Sequence, residues 1–501
     1  MTNTLVVDQP LSWRQIASIA EGAGISLSQD ARTRIAGARI IVESIVEKGI
    51  RGYGINTGVG ALCDVIIDRA DQQVLSRNII MSHACGVGEP LGRTETRAIM
   101  ATMVNNFALG RSGVRVEIVE LLCTMLQQDC VPVVRSKGSV GYLTHAAAIA
   151  LVLIGGGYAV YRGEKIAGAE ALARIGWRPL ILQAKEGLSL VNGTPCATGI
   201  ACLALQRMDR LACWADAAAA MSYENLGNQA RTFVMDTLSM RQSDGLQQVG
   251  TTLRSYLEGS PILAEMAGKR TQDPLSLRAV PQVHGASRDQ FAYVSDVVNR
   301  ELASVTDNPA VGGTLDAPQV HSQAHAVAAG VALSMDSLAV AAAMLGAISE
   351  RRIDRLINPL VSGLPAFLTT ENGKCSGFQV VQLTAASLAA ENRRLAAPAS
   401  LDGGITAALQ EDILTHATPV ALKSLLILEN LENILAIELL AAAQAYDLQP
   451  TVRESAHGTT VLRRKIRAHI PIYADDRPIA DDIETMRKFM RSELAADLQE
   501  V

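Results

Sequence analysis

A mainly α-helical fold is what this sequence predicts, a long helical bundle with a smaller glycine-rich part at its N-terminal end. Three observations predict it. Aromatic residues are only 4% of a chain that is 49% hydrophobic. Runs such as "DAAAAMS" and "LAVAAAMLGA" consist of small helix formers that let long helices pack closely. Apolar residues also recur with a helical period over long segments.

Taken in order, residues 1–200 form the glycine-loop-rich part. Short helical segments alternate with turn signals at "RGYGINTGVG", "CGVGEPLG", "ALGRSGV" and "SKGSVG", and glycine clusters of this kind bring backbone close to a partner. Residues 201–501 read as the long bundle with a C-terminal helical extension. Ser334–Asn358 is one such helix, running through "SERRIDRLINP" to its stop at Pro359. Val420–Asp447 is another, with Leu428, Leu431, Leu435 and Leu439 on one stripe and Glu429, Glu432 and Asn433 off it. A polar, proline-containing stretch, Ala474–Pro478, precedes the short terminal helix "DDIETMRKFMRSELAADLQ". No internal repeat or low-complexity linker interrupts this order.

A formal net charge of −5 gives no extended basic surface for nucleic acid or an anionic membrane. A small polar substrate fits better. Eight cysteines scattered without C-x-x-C spacing read as reduced core thiols, which points to the cytoplasm. The start, "MTNTLVVDQPLSWRQ", lacks the layout of a secretory signal, and charge is expected to interrupt the inner helices short of a membrane-spanning length. Metal-binding and phosphate-loop motifs are absent, and Gly155–Gly157 follows a helix rather than a strand.

Several segments carry residues suited to chemistry. Tyr53, between glycines in "YGINTGVG", suits a general base if its phenol has a lowered pKa, or a packed turn residue otherwise. His83 precedes a glycine turn in "MSHACGVGEPLG" and is either functional or a satisfied polar group. Asn192, in "KEGLSLVNGT", caps a helix or binds a substrate's carboxylate or amine. Arg278, Gln282, His284 and Arg288 gather in "PLSLRAVPQVHGASRDQ", where an arginine fork suits a carboxylate. "TDNP", Thr306 to Pro309, reads as a turn. Glu411 and Asp412 in "QEDIL" offer carboxylates, or a solvated helix face.

From about Tyr53 to Asp447 these segments, in this order, together with "GRSGVR", "KGSVG", "SGLP" and "SGF", resemble the aromatic amino acid ammonia-lyase family, and its histidine-type members most closely. The resemblance implies a fumarase/aspartase-like helical subunit, assembled as a homotetramer with active sites built from several chains. It further implies Tyr53 as the base for the substrate's β-proton, with Asn192, Gln282 and Arg278 lining the reacting amino acid. His83 and Glu411 match the positions that set histidine-type pockets apart, which favours an imidazole-like substrate.

The family's electrophile, a methylidene-imidazolone made from an Ala-Ser-Gly tripeptide, should follow "GSVG". Here Gly141 is followed directly by Tyr142, and no serine stands before a glycine from Lys137 to His145. The ring is therefore not expected, and neither is another cofactor or a metal. Leu275 and Ala324 replace a family tyrosine and phenylalanine, leaving space that Tyr142, His145, His321 and His325 are placed to enter. Three functions follow: a lyase acting on histidine or a related imidazole amino acid without the ring; a non-catalytic binding protein or heteromeric partner of a related chain; or an ordinary histidine-type enzyme from whose sequence the tripeptide has dropped out. Retained Tyr53 favours the first, because a binding module has no use for a base.

Overall fold

Three helices dominate the computed structural model: Pro195–Asn225, Ala329–Ile357 and Ala417–Asp447, of 31, 29 and 31 residues. The structure describes residues 4–371, 373–401, 403–449 and 454–493. It is 61% helical with few strands, in agreement with the mainly α fold predicted from composition and periodicity. Both predicted long helices begin earlier than their stripes suggested, at Ala329 and Ala417, because the preceding turns are also apolar and Val331, Ala332 and Ala417 are buried. The terminal helix spans Ala480–Ser492. The remainder of its predicted length lies outside the described residues.

The chain divides into two compact units interleaved in sequence. The first comprises Met1–Gln206, Val294–Asp336 and Pro398–Leu422, and the second Arg207–Tyr293, Ser337–Ala397 and Lys423–Val501. In the first unit the helix Gln29–Glu47 buries Ile41, Val42 and Ile45 against Ile55 and Val311. That cluster anchors the turn carrying Tyr53. A buried ion pair fixes the segment before Asn192: Lys185 Nζ lies 3.2 Å from Asp307 Oδ2, both side chains 0% exposed, and donates to Ser112 O at 2.7 Å and Ser189 Oγ at 2.8 Å. "TDNP" is thus a turn with a structural carboxylate in it.

The second unit is a helical bundle around buried charges. Glu438 accepts from Arg352 Nε at 2.6 Å and Nη2 at 2.8 Å, and from Ser222 Oγ and Ser349 Oγ, each at 2.6 Å. Four donors offset the desolvation of that carboxylate. Leu428, Leu431, Leu435 and Leu439 are all buried within the subunit. Glu432, predicted off this stripe, is buried as well, because Arg487 and Arg491 of the terminal helix clamp its carboxylate, Arg491 Nε at 2.8 Å.

Charge does not shorten the apolar helices as expected. Glu186–Asn225 and Ala329–Ile357 are long and apolar enough to cross a bilayer, but 100% and 67% of their apolar windows are buried in the protein. All eight cysteines are free thiols.

Candidate active site

Tyr53 stands on a loop that its own side chains lock. Asn56 Oδ1 accepts the Gly52 N–H at 2.9 Å and its Nδ2 donates to Ile50 O at 2.9 Å, while Thr57 Oγ1 accepts the Gly54 N–H at 3.1 Å. Gly54 is required here, since φ is +62° and a Cβ would fall 2.1 Å from Leu188 Cδ2. The half-buried Tyr53 hydroxyl accepts the Gly60 N–H at 2.9 Å. Contrary to the lowered pKa that a ready base requires, burial pushes this phenol up; the Gly60 bond opposes that, and the negative charge of Glu411 adds to it.

Glu411 comes from far along the chain and is not on a helix face. It lies on a loop where Ala407, Ala408 and Leu409 all have positive φ, paired through a bridge with Thr406, whose Oγ1 donates to Glu411 Oε2 at 3.1 Å. Gly60 approaches the Ala407 methyl group, which brings the two loops together. His83 ends the helix Gln72–His83, half-buried, with Nδ1 3.0 Å from Ser82 Oγ. Burial pushes its pKa down, against the opposing effects of the Ile79 carbonyl and Glu411. Asp412 is exposed and takes no part.

Tyr142 joins the same group. Its phenol is pushed up by burial first, then by the nearby negative charge of Glu411, and also by Tyr53. Tyr53, His83, Tyr142 and Glu411 therefore form one cluster in the first unit, bearing one carboxylate among groups held neutral near pH 7. Asn192 lies in this unit at the end of the helix Glu186–Val191, donating to Asn308 O and accepting the Gly193 N–H at 2.9 Å. The helix end is capped by the backbone N–H of Asn192 on Leu188 O rather than by its amide, and Val191 O beside it accepts the Leu143 N–H at 3.0 Å. Ser139 Oγ, on the other side, donates to Tyr142 O at 2.9 Å and accepts the Gly141 N–H at 3.1 Å.

Arg278 and Gln282 belong to the second unit, where they line a cavity of about 610 Å³ with Arg231, Arg241, Gln272 and Leu275. Arg278 Nε is buried without a partner, and its Nη1 and Nη2 lie against the side-chain amide of Gln272. His284 and Arg288 do not reach this cavity's lining. Asp216 claims both, with Oδ1 2.7 Å from His284 Nδ1 and Oδ2 2.5 Å from Arg288 Nη2. Of the other histidines, His145 is buried with Nε2 3.3 Å from Ser136 O, and His321 and His325 are exposed. Sequence reading missed Thr406 and the Gly60 N–H, since a threonine and a backbone donor carry no signal of their own.

A model of the aromatic amino acid lyase family matches residues 11–468. The histidine ammonia-lyase of Anaeromyxobacter dehalogenans is 42% identical over 506 residues, covering 97% of this chain and 98% of its own. The crystal structure of histidine ammonia-lyase from Trypanosoma cruzi superposes with a TM-score of 0.92 at 34% identity, over 99% of this chain and 95% of that one. The ergothioneine-degrading ergothionase from Treponema denticola, in complex with desmethyl-ergothioneine sulfonic acid, gives a TM-score of 0.91 at 28% identity over 100% of both chains. With matches of this extent, the chain belongs to the aromatic amino acid lyase family.

Proposed function

We propose that this protein is a histidine-type lyase that eliminates an amine from histidine or a related imidazole amino acid. The observation that carries the reading is the grouping of Tyr53, His83 and Glu411 in one locked site. Glu411 favours an imidazolium ring, and a positive ring next to the β-carbon makes its proton more acidic. Tyr53 takes that β-proton, the electron pair forms the new double bond, and the α-nitrogen leaves with the electrons of the broken C–N bond. Arg278 and Gln282, in the second unit, offer donors of the kind a carboxylate takes.

The reading leaves out the methylidene-imidazolone. Ser139 precedes Val140 rather than a glycine, and its hydroxyl is engaged on both sides by its own turn. Without that electrophile the nitrogen must already carry positive charge when it departs. The similar ergothioneine-degrading enzyme gives ergothioneine, itself an imidazole amino acid, a place beside histidine among the substrates to try. The reading includes a cytoplasmic homotetramer. The leucine stripe of Ala417–Asp447 does not support that assembly, being consumed inside the subunit. Exposed Val340, Met344, Val380 and Leu383 do.

Purified protein should release amine from an imidazole amino acid with growth of ultraviolet absorbance from the conjugated product. Intact mass should equal that of the unmodified chain. Absence of turnover on both histidine and ergothioneine, or a chain lighter by two waters, would overturn the respective halves of this reading.

A further inference from the structure

In the second unit, the first turns of the helix Val280–Leu302 are gripped by the core and help to wall the cavity of about 610 Å³. His284 and Arg288, four residues apart and so on one face, both reach Asp216 of the helix Pro195–Asn225. Its carboxylate accepts from His284 Nδ1 at 2.7 Å and from Arg288 Nη2 at 2.5 Å. A carboxylate shared with a guanidinium is ionised and can only accept, so the proton of the neutral ring sits on Nδ1. Nε2 then turns its lone pair to Arg352 Nη1 at 3.5 Å, while Arg352 commits Nε and Nη2 to Glu438. The same turns hold the start of the helix Asp244–Leu257. A Cβ on Gly285 would fall 2.5 Å from Leu246 Cα, and Asp289 accepts from the Gly245 N–H at 2.8 Å and from Ser243 Oγ at 2.6 Å. Leu246 lines the cavity, as do Gln282, two residues before His284, and Arg278, at the end of the short helix Leu275–Arg278 just upstream.

We propose, resting on the reading of Arg278 and Gln282 as carboxylate donors, that His284 is a pH-sensitive positioning residue for this cavity: its neutral ring fixes the turn bearing Gln282, and protonation at Nε2 releases that turn and with it the hold on a ligand's anionic group. In the neutral state both ring nitrogens face complementary groups. A proton on Nε2 instead aims an N–H at a guanidinium that has only donors, in a site where the ring is 2% exposed and water offers no acceptor. The charged groups around the ring are Asp216, Arg288 on its own helix, Arg352 and, behind Arg352, Glu438. Burial and Arg352 keep the ring neutral against the pull of Asp216 and Glu438. Arg352 is itself fixed, because Glu438 is held further by Ser222 and Ser349, so relief comes by movement of the ring. That movement reaches Gln282 along the same turn and Leu246 through the close approach at Gly285.

The probe is 3-phenylpropionate, whose carboxylate is ionised in the neutral range and whose ring does not titrate. Its binding is measured by calorimetry between pH 7.5 and 5.5 on wild type, His284→Asn, His284→Leu and Arg278→Ala, with circular dichroism and light scattering confirming each fold. Wild type should lose affinity as pH falls below about 6.5, by up to about tenfold per pH unit, the linkage of one proton. His284→Asn, whose amide N–H replaces Nδ1–H on Asp216 and does not titrate, should keep the pH 7.5 affinity within about threefold and lose that slope. His284→Leu should bind weakly at every pH, since Asp216 then lacks one donor. If wild type binds no probe, or Arg278→Ala binds it as wild type does, the carboxylate reading of the cavity falls and this proposal with it. If Arg278→Ala loses the probe but wild type shows no slope, His284→Asn keeps the slope, or His284→Leu binds normally, the cavity reading stands and the role of His284 is wrong. Should the His284 variants not fold, hydrogen exchange of the wild type decides, corrected for the intrinsic rate. Selective loss of protection over Val280–Gln290 at pH 5.5 supports a released turn, and unchanged or uniformly changed protection overturns it.

Discussion

At the residue scale, Tyr53 separates chemistry from binding. A base acts in the transition state, so Tyr53→Phe should abolish turnover while changing the affinity for imidazole-propionate less than about threefold, read by calorimetry beside amine release. Its pKa lies above the ordinary 10.0 because burial and Glu411 disfavour the phenolate. The active fraction of a base is its deprotonated form, so kcat/KM should climb with pH through the neutral range and still be rising near pH 10. Arg278→Ala should instead weaken every carboxylate probe about 10- to 100-fold, with or without an imidazole ring, since a charge-assisted bond contributes to the ground state. The motif order placed Tyr53, His83 and Glu411 in one site, but not their protonation. Nothing in "YGINTG" encodes the burial that raises the phenol, and nothing in "QED" shows that Glu411 lies on a positive-φ loop rather than a helix.

At the scale of elements, periodicity found the long helices because aliphatic stripes are set by the 3.6-residue repeat. It failed where polar side chains are buried by partners distant in sequence. Glu432 reads as a surface residue until Arg487 and Arg491 arrive from the terminal helix, and Glu438 sits in the core because Arg352 and two serines meet it. Removing one member of such a pair leaves the other charge buried. Glu438→Leu should therefore cost about 3–5 kcal/mol, measured as a lower urea midpoint with an unchanged slope. The double replacement Arg352→Met with Glu438→Leu should recover much of that loss.

For the whole molecule, two histidines make stability depend on pH. Burial pushes His145 and His284 below the ordinary 6.5, the second against the pull of Asp216 and Glu438 and with the like charge of Arg352 adding to the effect of burial. The unfolded chain then binds more protons than the folded one just below that value. Their contribution is complete above about pH 6.5 and is lost as pH falls through the window beneath it. The urea midpoint should fall between pH 7.5 and 5.5, and more weakly in His145→Phe. Light scattering at micromolar concentration should give four chains, and Val340→Glu with Leu383→Glu should shift that mass downward.

The interleaving of the first unit also dictates when the protein can begin to work. Tyr53, His83 and Tyr142 leave a ribosome early, but Glu411 and the loop that carries it belong to the same unit and are made after most of the second. No stalled or truncated product ending before that loop can hold the carboxylate that the cluster is built around. During synthesis the early segments must wait with their polar groups unmatched, through a long stretch of translation, for a partner several hundred residues away. Nascent chains arrested upstream of Glu411 should accordingly be protease-sensitive and dependent on chaperones, and release past it should bring protection of the first unit in a single late step.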